Sequence, residues 1–160
     1  MVSSFFKYFP LTCAFIILSN AQVAPAYTPY SLDHSEIILN QADIYVADIH
    51  KEYSFIDHAH ITIQPNAYIY RLSISFDSIQ SGHLSIRNWN IPSSAMLFIF
   101  NNNTSYTGPY IKSNEEHLIS GRFISKQLIL EYIVPINVAF VGDFTIANIY
   151  PDYSKPIYSD

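Results

Sequence analysis

The segment AYIYRLSISF, residues 67–76, constrains the fold more than any other part of the chain. In an extended strand successive side chains point to opposite faces, so a period of two separates this segment into two rows. One row is large and apolar or aromatic, and the other contains polar side chains: Tyr68, Tyr70, Leu72, Ile74 and Phe76 against Arg71, Ser73 and Ser75. The segment is therefore predicted to be a β-strand with one face on a core.

Further segments have the same character. GHLSIRN and QLILEYIV also alternate, whereas AMLFIF has no polar face and suits a strand buried on both sides. Turn-forming residues separate these runs at 64–66, 81–82, 91–93, 101–103 and 134–135. Strand-like runs at about ten-residue spacing predict an all-β fold, an antiparallel β-sandwich or jelly-roll-like single domain.

The N-terminal residues have the pattern of a secretory signal peptide. An early cation, Lys7, precedes a continuous apolar stretch from Leu11 to Leu18, and small residues follow at two candidate cleavage points. The stretch is shorter than the roughly 20 residues that span a bilayer. The predicted segments are a signal peptide at 1–26 (cleaved after 21 or 26), an N-terminal arm at 27–40, the β-sandwich domain at 41–153 and a C-terminal tail at 154–160.

These boundaries predict a secreted protein, extracellular or periplasmic, with no stable membrane span after signal cleavage. An uncleaved membrane anchor is the alternative. The chain has one cysteine, Cys13, which lies inside the predicted signal peptide. The mature chain would then have no disulfide framework, no thiol nucleophile and no cysteine-based zinc site.

The charge distribution argues against binding to nucleic acid. The formal net charge is −5, and the lysines and arginines are scattered singly along the chain. A nucleic-acid-binding protein needs clustered cations to neutralise phosphates. Nucleic acid is therefore excluded as an expected partner.

No catalytic residue and no cofactor is predicted. Serine, histidine and aspartate are all present, but a catalytic triad is recognised by geometry, and the chain has no Gly-x-Ser-x-Gly segment. The sharpest local candidate is a metal site at His58 and His60 in IDHAHITI. In a strand both imidazoles would share one face, about 6.6 Å apart. A site also needs further ligands, so a solvent-facing strand is the favoured interpretation.

Three other surface features have two interpretations each. The asparagines at 102 and 103 match glycosylation acceptor patterns but also suit a hairpin turn. Abundant tyrosines could form a platform for a glycan or a peptide, or could pack in the sandwich; they include Tyr106, Tyr110, Tyr150, Tyr153 and Tyr158. Glu115 and Glu116 are interpreted as a solvated tip, because a calcium loop needs several spaced oxygen ligands.

The order of these features resembles the N-terminal, non-catalytic β-domain of bacterial lysyl-endopeptidase-like secreted serine proteases. The similarity covers roughly residues 60–150 and rests on six pieces in order: YRLSI at 70–74, LSI at 84–86, Ile91-Pro92, LFIF at 97–100, GPY at 108–110 and EYIVP at 131–135. Tyr70 stands where the family usually has tryptophan, and residues 115–127 only loosely match the family's longer turn region. None of the matched positions belongs to the protease triad.

The resemblance implies a bacterial, protease-associated pro-region that lacks its protease domain, truncated or orphaned at Asp160. Such a region would assist folding, restrain activity or support secretion of an attached protease. The alternative is a free-standing secreted module that binds another exported protein or a glycan. Neither function requires catalysis by this chain.

Overall fold

The computed structural model describes residues 33–39, 52–77, 79–101 and 105–152. Its strands are β1 (Ser35–Leu39), β2 (Tyr53–Ser54), β3 (His60–Ile63), β4 (Ala67–Phe76), β5 (Ser81–Asn90), β6 (Met96–Asn101), β7 (Ser105–Tyr110), β8 (His117–Ile119), β9 (Phe123–Ile124), β10 (Gln127–Pro135) and β11 (Asp143–Pro151). One helical turn, α1 (Phe55–His58), follows β2. The predicted signal peptide and the tail at 154–160 lie outside the described residues.

The strands form two sheets that pack face to face. The first sheet has the order β1-β4-β10-β6-β7, with β3 also paired to β4. The second has the order β2-β11-β5-β8, with β9 also paired to β5. Side chains from both sheets enter one buried cluster, among them Leu72, Leu97 and Leu130 from the first sheet and Leu84, Ile86 and Phe144 from the second. This arrangement confirms the predicted all-β sandwich.

The alternation that predicted β4 is the alternation that fills the core. Tyr70, Leu72, Ile74 and Phe76 lie in the buried cluster, and Tyr68 packs against it. On the neighbouring strand, Leu128, Leu130, Tyr132 and Val134 of β10 do the same, as their spacing predicted. β6 is buried on both faces because Leu97 and Ile99 face the core while Phe98 and Phe100 join a second cluster on the outside of the sheet.

The first sheet begins earlier in the chain than its sequence indicated. Residues 27–40 were predicted to be an arm, but Ser35–Leu39 pair in parallel with Leu72–Phe76 of β4. Isoleucine and leucine run together in SEIIL, so the segment lacks the period of two that marks a half-buried strand. The pairing of β1 with β4 is parallel, whereas the other described strand pairs are antiparallel.

Gly82 lies within β5, although Ser81-Gly82 was predicted to be a turn. A Cβ atom built at this position would collide with the carbonyl oxygen of Tyr150 on β11. Glycine is present because the backbones of β5 and β11 approach closely here. The next irregularity on β5 is a bulge at Asn88, which has a φ of 53°, a left-handed angle that asparagine tolerates.

Two of the other predicted turns, at 64–66 and 91–93, agree with the structure, whereas Val134 and Pro135, also predicted to be a turn, belong to β10. Gln64 donates its backbone N–H to the carbonyl of Ala67, which closes the β3–β4 hairpin, and Ala95 donates to Pro92 in the turn before β6. β6 and β7 pair antiparallel, and Asn101, the first asparagine of the predicted turn, is the last residue of β6 and pairs with Ser105. Pro109 lies on β7, at the margin of the first sheet, where a strand tolerates a residue that lacks an N–H.

Candidate functional site

The two histidines of the metal hypothesis do not share one strand. His58 ends α1, and His60 begins β3. A helical turn forms here because the Ser54 side chain accepts from the N–H of Asp57 and so caps it. The alternation that placed both imidazoles on one face therefore fails at His58. Within the described residues, no three histidine, cysteine, aspartate or glutamate side chains converge as metal ligands would.

Ser54, His58 and Asp143 are close together, but their contacts differ from those of a catalytic triad. The Ser54 hydroxyl donates directly to Oδ2 of Asp143 at 2.8 Å. His58 Nδ1 lies 2.8 Å from the carbonyl oxygen of Ser54, not from its hydroxyl. In a triad the histidine accepts the serine proton and the aspartate orients the histidine. Here the aspartate binds the serine, so the histidine is not placed to activate it.

The same three side chains have a clear structural role. Asp143 begins β11, and its second oxygen accepts from the backbone N–H of Ile56 at 3.1 Å. The His58 ring packs edge-on against Tyr53, with ring centroids 5.3 Å apart. Together these contacts attach α1 to the end of the second sheet. Phe55 of the same turn is buried and stacks on Phe144 of β11.

An ion pair is buried on the face of the first sheet that points away from the core. Arg71 on β4 lies opposite Glu131 on β10, and Arg71 Nε lies 2.9 Å from Glu131 Oε2. Both side chains are 0 % exposed. The sequence placed Arg71 on this face but gave no signal that the face would be closed to solvent, because polar residues on a strand normally indicate exposure.

Apolar neighbours surround this ion pair. Ile69 lies next to Arg71 on β4, and a smaller cluster of Phe98, Phe100 and Ile129 occupies β6 and β10. Arg71 Nη1 donates to the hydroxyl of Thr62 at 3.2 Å, whereas Nη2 has no hydrogen-bond partner within the described part of the chain. A buried ion pair is costly to desolvate, and its attraction compensates only when the hydrogen bonding is good. The pair is therefore better suited to fixing strand register than to raising stability.

The tyrosines do not form one platform among the described residues. Tyr106 is on the first sheet, where it packs against Phe98 and Phe100, whereas Tyr150 is on the second. Tyr110 is half-buried: its hydroxyl donates to Thr107 Oγ1 at 3.0 Å and accepts from the N–H of Gly121 at 2.8 Å. Tyr153 and Tyr158 lie outside the described residues, as do the asparagines at 102 and 103.

A buried tyrosine was not singled out in the sequence. The Tyr132 hydroxyl donates to the carbonyl oxygen of Val141 at 2.7 Å. Burial raises the pKa of this hydroxyl well above the ordinary 10.0, and nearby Tyr70 and Asp143 raise it further. The group stays neutral at physiological pH. Its bond ties β10 to the loop that leads into β11, which is a structural role.

Several accessible apolar side chains lie at the margins of the sheets, and two others, Ile111 and Phe140, lie in loops. Ile38 on β1 and Ile61 and Ile63 on β3 are exposed, and so are Ile119 on β8 and Ile124 on β9. Glu115 and Glu116, predicted to be a solvated tip, are exposed in the loop before β8. No helix in the described part of the chain is both long and apolar enough to cross a membrane.

No family model, curated protein or solved structure matches this chain. Five of the six pieces that carry the resemblance to the protease β-domain lie on strands β4, β5, β6, β7 and β10. The sixth, Ile91-Pro92, lies in the turn between β5 and β6. The family assignment remains a prediction.

Proposed function

We propose that this protein is an exported, non-catalytic β-sandwich module that acts by binding a partner polypeptide. The exposed isoleucines at the strand margins carry this proposal. Apolar side chains that remain accessible on a folded domain are typical of interaction surfaces when they group together. Ile61 and Ile63 are grouped in this way, since they are two residues apart on one four-residue strand.

The polar side chains support a binding role over a hydrolytic one. Ser54, His58 and Asp143 are engaged in bonds that hold α1 to β11. Arg71 and Glu131 are buried against each other and are 0 % exposed. A general base must come within hydrogen-bond reach of substrate, and buried or structurally engaged groups of this kind do not offer that.

Within this proposal, the protease setting, meaning the resemblance to a domain that precedes a serine protease, identifies the partner. The order of strand motifs is similar to that of a region that precedes a lysyl-endopeptidase-like serine protease domain, so the partner would be such a domain. The module would then assist the folding of the protease or restrain its activity. The protein would be bacterial and would work outside the cytoplasm.

Refolding tests this function directly. A denatured lysine-specific endopeptidase of the secreted bacterial type is diluted from denaturant with and without the purified full chain, and active enzyme is measured with a lysyl amide substrate. We expect several-fold more active enzyme, or slower turnover of the folded enzyme, with the chain present. A β-sandwich of unrelated sequence serves as the control. Equal yields and equal turnover in all samples would rule out the protease setting.

A further inference from the structure

One margin of the first sheet is formed by two strands placed end to end. β10 pairs with β4 along residues 67–75 and so occupies one side of β4. The other side of β4 is shared: β3 pairs with residues 68–71, and β1 pairs with residues 72–76. Among the described strands, none pairs with the far side of β1 or β3. We call this the β1–β3 margin.

The β3 part of the β1–β3 margin lacks the prolines, charged side chains and bulges that protect many sheet edges. Edge strands are usually protected by proline, by charged side chains or by bulges. β7, at the opposite margin of the same sheet, has Pro109 and an irregular register with β6. β3 has the sequence HITI and pairs regularly with β4, with no proline, charged carboxylate or bulge. Within the described residues of β3, none of these devices would obstruct an added strand.

Accessible side chains flank the β1–β3 margin on both faces of the sheet. Ile61 and Ile63 are 43 % and 69 % exposed and lie opposite Tyr70 and Tyr68, on the core-facing side. Ile38 is 58 % exposed and lies opposite Ser75, on the outer side. A strand added to the margin would therefore find apolar contacts for alternate side chains on either face.

Charge identifies the kind of strand that fits. Residues 33–39 and 57–63 contain Asp33, Glu36 and Asp57, all exposed, and no lysine or arginine. Glu36 Oε1 accepts from the Ser75 hydroxyl at 2.6 Å, so this carboxylate is held over its own sheet and does not block the margin. A second copy of this acidic chain would bring like charges together, whereas a basic segment would be attracted.

We propose that the β1–β3 margin binds an extended segment of a partner polypeptide, rich in lysine or arginine and in β-branched residues, as an added β-strand. This proposal rests on the function proposed above and specifies the surface and the chemistry of the partner. Main-chain hydrogen bonds to the margin supply affinity, and the acidic residues select the basic segment.

The probe is an acetylated nine-residue peptide that alternates lysine with valine and threonine. Its matched control has glutamate in place of each lysine. Binding to the full chain is measured by fluorescence anisotropy at about pH 8, where free histidines are mostly neutral. We expect the lysine peptide to bind at least about tenfold more tightly than the glutamate peptide, and to weaken as salt is raised. Amide exchange should slow at residues 35–39 and 60–63.

Two variants, each with a matched control variant, locate the site. Ile63→Lys places a cation on β3 and should weaken the lysine peptide at least about tenfold. Ile124→Lys is the matched control, because Ile124 is 59 % exposed on β9 of the other sheet, and it should leave binding unchanged. Glu36→Gln, which keeps the shape of the side chain, should weaken binding and reduce the salt dependence. Glu115→Gln in the distant loop should do neither.

The outcomes separate clearly. Equal affinity for the two peptides, equal loss in Ile63→Lys and Ile124→Lys, or exchange protection confined to β7 or the second sheet would each overturn the proposal. Should Ile63→Lys fail to fold, Glu36→Gln alone decides the site. If the peptide does not bind but the chain still improves protease refolding, the proposal that the margin binds the partner is wrong and the protease setting stands. Peptide binding at the margin without any effect on the protease supports the margin and rejects that setting.

Discussion

Arg71 on β4 and Glu131 on β10 face each other, with 2.9 Å between Arg71 Nε and Glu131 Oε2 and with neither side chain exposed to solvent. The ion pair lies on the outward face of the sheet and not in the core between the sheets. Glu131 accepts from Arg71 Nε, and one other guanidinium nitrogen of Arg71 has no hydrogen-bond partner among the described residues. The consequences of removing one charge and of removing both should therefore differ sharply.

Arg71→Met should destabilise the fold by about 3–5 kcal/mol, because it leaves the Glu131 carboxylate buried without its cation. The double variant Arg71→Met/Glu131→Leu should recover most of that loss, since apolar side chains of similar volume replace both charges. Urea unfolding followed by tryptophan fluorescence measures both. The control is Arg122→Met, which breaks an exposed ion pair to Asp152 and should leave the urea midpoint almost unchanged, because solvent screens such a pair. Equal losses in the single and double Arg71 variants would contradict this account.

Tyr132 predicts how stability depends on alkaline pH. Its folded-state pKa is raised above the ordinary 10.0, so folding favours the protonated hydroxyl. That stabilisation is fully present below pH 10 and is lost as pH rises further, by up to about 1.4 kcal/mol per pH unit. Unfolding free energies between about pH 8 and 11 should show a decline that is smaller in Tyr132→Phe. Tyr106→Phe, on the exposed margin, should retain the decline of the unmodified chain.

At neutral pH, Tyr132→Phe should itself cost about 1–2 kcal/mol, because the carbonyl of Val141 loses its donor. The effect should appear as a lower urea midpoint with an unchanged slope. An unchanged midpoint would mean that water replaces the lost hydroxyl without cost.

Gly82→Ala should destabilise the second sheet, since the added methyl group meets the Tyr150 carbonyl of the adjacent backbone. Overpacking of this kind costs about 1–3 kcal/mol. Gly121→Ala is the comparison: its nearest contact would be the Thr107 side-chain methyl at 3.0 Å, which can shift more easily than backbone. The larger drop in melting temperature should belong to Gly82→Ala, and the reverse order would show that β5 and β11 can separate locally.

Export is predicted from the first 26 residues. The full chain, expressed in a bacterium with a C-terminal tag, should be recovered outside the cytoplasm with Gln22 or Tyr27 as its first residue, as N-terminal sequencing would show. Retention of Met1 in a membrane fraction would instead support the uncleaved anchor. Replacing Phe15 and Ile16 by aspartate should abolish export, because the apolar run would be interrupted.

The strands that pack one face on the core could be predicted from the sequence, and the reason is visible in β4 and β10. In β4 the apolar side chains on either side of Leu72, and in β10 those on either side of Leu130, occur at every second position. This periodicity alone identifies the buried row. β1 was missed because consecutive apolar residues lack that period. His58 was misplaced because a serine cap, Ser54, overrides the extended pattern for one turn.

Burial on the outer face was beyond the reach of sequence reasoning. Arg71 and Glu131 are sixty positions apart in the chain and have no local signature of pairing. The β1–β3 margin was equally hidden, since it exists only because two distant segments share one side of β4. Exposed isoleucines on β3 resemble core residues in the sequence. Their exposure is a property of the assembled sheet.

The position of β11 has a consequence for the time at which this protein can fold. β11 lies between β2 and β5, and its first residue, Asp143, binds Ser54 across 89 positions of sequence. The second sheet therefore cannot close until residue 143 and the strand after it have been synthesised. Contacts of such long range slow folding. A nascent chain would remain open through most of its synthesis, and an open chain is the form in which a polypeptide can be threaded through a narrow channel.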